Sequence, residues 1–286
     1  MKLYHNLLLM GVITIMSACS SEKITEPEIS QPEIAFVCSY ADDTRATDTK
    51  FENKDNIGVY IVEDGLNLQL GGNVLNNELF TYDGSAWKAA RKMYWNEGKY
   101  NVYAYYPYSK EVNDTQDFSF AIQADQSSHE GYTASDFIWA AKSEVTASAN
   151  PVSLQFSHKM SKAIVRIEKS AEYEGDLPSD CEVYIHNTVG VASIDLATGG
   201  ISKDPYAGTM LIKAQKLSAT EYQAIVVPQN IESRRPLVEV IAGGVSYLME
   251  GKISFKQGYK STLIVTLSKN PSQTKIEIGG SIGGWD

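Results

Sequence analysis

The chain has 286 residues, with 25 Lys and Arg against 35 Asp and Glu, and a formal net charge of −10 at pH 7. That acidity argues against nucleic acid as a partner, because affinity for phosphates comes from cationic contacts. The length allows one or two domains, and three cysteines are too few for a small disulfide framework.

The first residues read as an export signal. Lys2 precedes an apolar run from Leu7 to Met16, and the small residues Ser17 and Ala18 lead into Cys19. The run is too short to cross a hydrocarbon core of about 30 Å as a helix. The segment resembles a lipoprotein signal, in which residues 1–18 are removed and Cys19 is acylated. Residues 19–33 are rich in Ser, Glu and Pro, with few apolar side chains, and read as a solvated linker.

Beyond the linker the apolar residues recur with a period of two. Ile34, Phe36, Cys38 and Tyr40 alternate with Ala35, Val37 and Ser39, which predicts a first strand. A polar loop, Ala41–Asp48, follows; such loops are where proteases reach a chain, and its one arginine is Arg45. Strands are then expected around Ile57–Val62, Val102–Tyr106, Ser153–Ser157, Val165–Glu168 and Leu263–Leu267. The clearest hairpin joins Leu79–Tyr82 to Ala86–Lys88 through Asp83-Gly84-Ser85. Further turns are marked by Asp64-Gly65, Gly71-Gly72, Gly199-Gly200, Gly243-Gly244 and Gln257-Gly258. Near the end, Ile276, Ile278 and Ile282 fall on one face of an alternating segment.

Many short strands punctuated by tight turns predict an all-β chain of sandwiches. The polar stretch Thr146–Pro151 is the preferred division, giving an N-terminal sandwich at 34–150 and a C-terminal one at 151–286.

No active site assembles from these residues. His129, His158 and His186 are isolated and lack the spacing of a zinc site. No cofactor or metal is expected, and the chain does not read as an enzyme. His158, in phase with Leu154 and Phe156, reads as a hydrogen-bonded structural residue. Cys38 and Cys181 are expected as buried free thiols. The aromatic run Tyr103–Tyr108 offers an alternative function, a lipid-anchored module that binds surface glycans, although strand packing accounts for it better. A glycosidase would need two facing carboxylates in a cleft.

Several segments in order carry a resemblance. They are Lys54–Tyr60, Tyr100–Tyr108, Asp136–Ala140, Leu154–Lys162, Ile194–Gly200 and Ile225–Gln229. Together with the lipoprotein signal, they make the chain resemble the fimbrillin family, the subunits of type V pili, over nearly its whole mature length. The resemblance implies two tandem transthyretin-like β-sandwiches and a role in a surface filament that serves adhesion, as stalk or tip. It implies delivery to the outer membrane as a surface-exposed lipoprotein. An arginine-specific protease then cuts between Arg45 and Ala46 and removes the strand of Ile34, Phe36, Cys38 and Tyr40. Other fimbrial subunits are the implied partners, each inserting a strand into the vacated groove. The segment of Ile276, Ile278 and Ile282 is the candidate donor strand; it equally suits completion of its own sandwich, and both readings stay open here.

Overall fold

The computed structural model describes residues 31–41, 50–269, 275–277 and 283–285. Its elements run β1 (Phe36–Tyr40), β2 (Asn56–Glu63), β3 (Leu75–Tyr82), β4 (Trp87–Ala89), β5 (Lys99–Tyr106), β6 (Phe118–Ala121), one short helix α1 (His129–Thr133), β7 (Ile138–Thr146), β8 (Val152–His158), β9 (Ser161–Lys169) and β10 (Glu182–Val189). They continue with β11 (Val191–Asp195), β12 (Gly200–Lys203), β13 (Thr209–Lys213), β14 (Gln215–Lys216), β15 (Glu221–Val226), β16 (Gln229–Ala242), β17 (Val245–Phe255), β18 (Tyr259–Leu267), β19 (Lys275–Glu277) and β20 (Gly283–Gly284). The chain is all-β, as its period-two pattern requires.

The first sheet has the order β1-β8-β7-β5-β2-β3-β4. Ile57, Val59 and Ile61 of β2 point into one core with Val102 and Ala104 of β5, Ile138 and Ala140 of β7, and Leu154 and Phe156 of β8. The sheet curls around that core until its two edges approach, with the rings of Phe36 on β1 and Phe80 on β3 only 4.9 Å apart. Near the start of β1 the edges are joined: Ile34 N–H donates to Met93 C=O at 2.8 Å and Trp95 N–H to Pro32 C=O at 2.9 Å.

The outer face of this sheet is also buried. Tyr60, Val62, Tyr105 and Phe137 belong to a second core, shared with Val165, Ile185, Val238, Leu263 and Val265. Around that core stand a four-stranded sheet β13-β10-β16-β17, a three-stranded sheet β12-β11-β6, and a sheet ordered β14-β15-β9-β18-β19 with β20 also on β18. The polar stretch 146–151 is the connection between β7 and β8, both strands of the first sheet. In the other direction, β6 pairs with β11, from Phe118↔Ile194 to Ala121↔Val191. The two sandwiches are therefore sewn to each other by strands as well as by side chains.

Gly58 shows how close that packing is. A Cβ there would lie 2.4 Å from a ring carbon of Tyr105, whose hydroxyl donates to Asn77 Oδ1 at 2.8 Å.

The hairpin expected at Asp83-Gly84-Ser85 joins β3 to β4, with Gly84 at φ 92°. The Asp83 carboxylate accepts from Ala86 N–H at 2.8 Å, Ser85 N–H at 2.9 Å and Ser85 Oγ–H at 2.8 Å. Those bonds, the one from Ala86 foremost, hold its pKa down to about 2 from 3.8. A depressed carboxyl contributes stability above its unfolded value and loses it as pH falls through the folded one. The expected outcome is that Asp83→Asn flattens the acid limb of the stability profile between about pH 4 and about pH 2. Denaturant midpoints measured across that window check it, and an unchanged limb would refute it.

Candidate functional site: the seat of the first strand

β1 lies at the edge of the first sheet and is parallel to β8, in a register from Phe36↔Val152 to Tyr40↔Phe156. Val152 N–H donates to Ala35 C=O and Ala41 N–H to Phe156 C=O, both at 2.8 Å. The alternation read from sequence is realised. Ile34 and Phe36 are buried, Cys38 and Tyr40 are half-buried against the same core, and Val37 between them is 56% exposed. Burial of Ile34 and Phe36 contributes about 1.5–3 kcal/mol each in gross apolar terms.

The other side of β1 faces open space. A cleft of about 580 Å³ separates it from β4, lined by Ile34, Phe36, Phe80, Trp87 and Met93, with Lys88, Arg91 and Lys92 also on its walls. Lys92 pairs with Glu33 at 2.9 Å and Arg91 with Glu78 at 3.7 Å. Burial pushes the Cys38 thiol up, so it is a neutral apolar filler, and it and Cys181 are free thiols.

An aromatic group closes the end of the seat. Tyr40 packs on Phe51 at 5.0 Å, and Phe51 meets Trp87 at 4.9 Å and Phe156 at 5.3 Å. Tyr40 also lies 5.4 Å from the ring of His158. His158 is 8% exposed, and its Nδ1 bonds both oxygens of Asp136, at 2.9 and 3.0 Å. It is thus the hydrogen-bonded structural residue its phase predicts. Cys19, Arg45 and Ala46 lie outside the described residues. The described chain stops at Ala41 and resumes at Lys50.

At the other end of the chain, Lys275–Glu277 pairs antiparallel with β18, with Ile276 opposite Val265. Ile278 and Ile282 lie outside the described residues. Tyr105, the centre of the run considered for sugar stacking, is 1% exposed, and its hydroxyl is bonded to Asn77 and Ser109. It has no face to offer a ring, because it packs against the rings of Phe118 and Phe137. Among the described residues no group of three or more His, Cys, Asp or Glu is placed to hold a metal ion.

Two contacts near the seat escaped the sequence reading. Trp139 on β7 donates its indole N–H to Leu196 C=O at 2.8 Å, with Lys159 Nζ 4.7 Å from its ring. Gly199 sits under that ring at φ 67°, and a Cβ there would lie 2.6 Å from Trp139 Cε3. Gln126 clamps Ile225, donating to its C=O at 2.9 Å and accepting from its N–H at 2.7 Å. Period-two patterns carry no trace of such pairs, because their members are distant in sequence.

The fold and site define a tandem β-sandwich protein whose first strand is seated on an open edge. The fimbrillin-like family model matches residues 44–285, and the chain belongs to that family. A Bacteroides ovatus protein named as a fimbrium tip subunit, Fim1C, is 27% identical over 177 residues, which are 55% of this chain and 32% of that protein. The chain thus spans about a third of the length of that curated relative. Two crystal structures, each of a protein described as a cell adhesion protein, share the fold. One from Bacteroides ovatus has a TM-score of 0.68 at 19% identity, over 90% of this chain and 98% of that one. One from Bacteroides uniformis has a TM-score of 0.68 at 17% identity, over 89% and 99%.

The Trp139–Gly199 contact gives a test of the packing between the sandwiches. Gly199→Ala is expected to destabilise the chain by about 2–5 kcal/mol, combining the left-handed backbone penalty of an alanine with overpacking. In a Trp139→Ala background the increment should shrink to the backbone part, about 1–2 kcal/mol. Urea unfolding of the four proteins reads both values, and equal increments in the two backgrounds would disprove the contact's role.

Proposed function

We propose that the chain is a subunit of a type V-like surface fimbrium, delivered as a lipoprotein and assembled by protease-triggered strand exchange. The observation that carries this reading is the seat of β1. The strand is held by one ladder along its length, buries alternate side chains, borders an open cleft and is followed in sequence by Arg45. Cutting after Arg45 disconnects residues 19–45 from the folded body. β1 then stays only by its ladder, its edge joint at Ile34 and its buried side chains. Its departure bares the edge of β8 and the pockets of Phe36 and Ile34, which suits addition of a strand from another subunit.

Membership of the fimbrillin-like family supports the filament and its surface location, and the relative named as a tip subunit suits an adhesive role at a filament end. In this reading the lipid on Cys19 serves a delivery stage and leaves with β1. The segment of Ile276, Ile278 and Ile282 is then the strand passed to a neighbour. The partners are other fimbrial subunits and an arginine-specific protease.

Incubation of the purified precursor with an arginine-specific protease should give a single cut between Arg45 and Ala46, loss of the β1 peptide, and a ladder of assemblies on native gels. Arg45→Ala should remain uncut and monomeric. A chain that is cut at Arg45 yet keeps β1 bound and forms no oligomer would sink the strand-exchange reading.

A further inference from the structure

The far end of the chain returns to the seat of β1. Gly283 and Gly284 pair with Lys260 and Tyr259 of β18, and Trp285 follows with 5% of its surface exposed. Its indole stacks on the imidazole of His158, with centroids 4.3 Å apart and planes at 9°. The same imidazole meets the ring of Tyr40, the last residue of β1. A small cavity of about 100 Å³ lies between these groups, lined by Tyr40, Ala41, Phe156, His158, Gly258 and Trp285.

We propose that Trp285 is a latch that couples the C-terminal tail to the first strand through His158, so that departure of β1 releases the tail. Asp136 fixes the imidazole from one side through Nδ1, and Tyr40 borders it from β1. With β1 gone, the cavity opens to water and the indole loses the dry wall of its seat. The docked tail is also poorly satisfied. Among the described residues neither Trp285 Nε1 nor His158 Nε2 has a hydrogen-bond partner, although both are buried, and an unpaired buried polar group works against the state that buries it. Aromatic stacking and apolar burial hold the latch shut, and both depend on the seat staying closed. The use of the latch in assembly, freeing the tail only after the groove has opened, rests on the strand-exchange reading above.

Coupling of this kind is reciprocal, and hydrogen exchange on the uncut chain tests it in both directions. In Trp285→Ala, amides of residues 36–41 should exchange roughly three- to tenfold faster. In Tyr40→Ala, peptides covering residues 259–261 and 283–285 should accelerate by a similar factor. The β16–β17 hairpin should keep its protection in both, which also shows that the variants fold. Trp285→Leu, which fills the space without stacking, gives a second arm and should accelerate β1 as the alanine does. Unchanged protection of β1 in Trp285→Leu, or of the tail in Tyr40→Ala, overturns the latch. None of these readouts uses a protease or a polymer, so failed assembly after a cut at Arg45 would remove the functional reading and leave the latch standing.

Discussion

Parallel pairing of the first strand with β8 is the constraint on which the other features of the seat depend. A strand joined to its neighbour by a hairpin cannot leave without unthreading the turn. β1 is not joined to β8 in this way, because the next strand in the chain is β2, which is four strands away across the sheet. One cut in that connection therefore separates β1 from the rest without breaking any other ladder. What remains is a five-residue ladder, the joint at Ile34 and two fully buried side chains.

The second sandwich repeats the arrangement with a different outcome. Its first strand, β9, also lies parallel to its last long strand, β18, from Lys162↔Lys260 to Lys169↔Leu267. Yet β9 is interior, since its other edge pairs with β15 from Arg166↔Glu221 to Ser161↔Val226. Ala163, Val165 and Ile167 point into the core, and Ile164 is buried on the opposite face. A strand laddered on both edges cannot be removed without dismantling the sheet. The same topology thus gives one strand laddered on both edges and one laddered on a single edge beside an open cleft.

Much of this was legible in the sequence, and the limits are physical. Alternation of Ile34, Phe36, Cys38 and Tyr40 fixes which side chains face inward, because successive residues of a strand point to opposite faces. Asp-Gly and Gly-Gly pairs mark where strands end, because their backbones adopt positive φ; Gly243 and Gly244, at 57° and 76°, turn β16 into β17. Neither signal says which strand lies beside which. The pairing of β1 with β8 and of β6 with β11 joins segments far apart in sequence, and nothing local encodes it. The run Tyr103–Tyr108 leaves two readings open for a related reason. An aromatic strand that meets solvent looks the same in sequence as one packed in a core, and only the second layer over β5 makes Tyr105 core, as strand packing requires.

The segments that carry the family resemblance acquire a common purpose once folded. Asp136 and Trp139 come from one, His158 and Lys159 from a second, and Leu196 and Gly199 from a third. They meet where the first sandwich joins the second: Asp136 on His158, Trp139 on Leu196 and Gly199, and Lys159 over Trp139. Ile225, from a fourth segment, is clamped by Gln126. Asp136 ties down the end of β8 through His158, and β8 is the ladder on which β1 rests. The contacts between these segments lie away from β1, which is held by its single ladder, the joint at Ile34 and apolar burial.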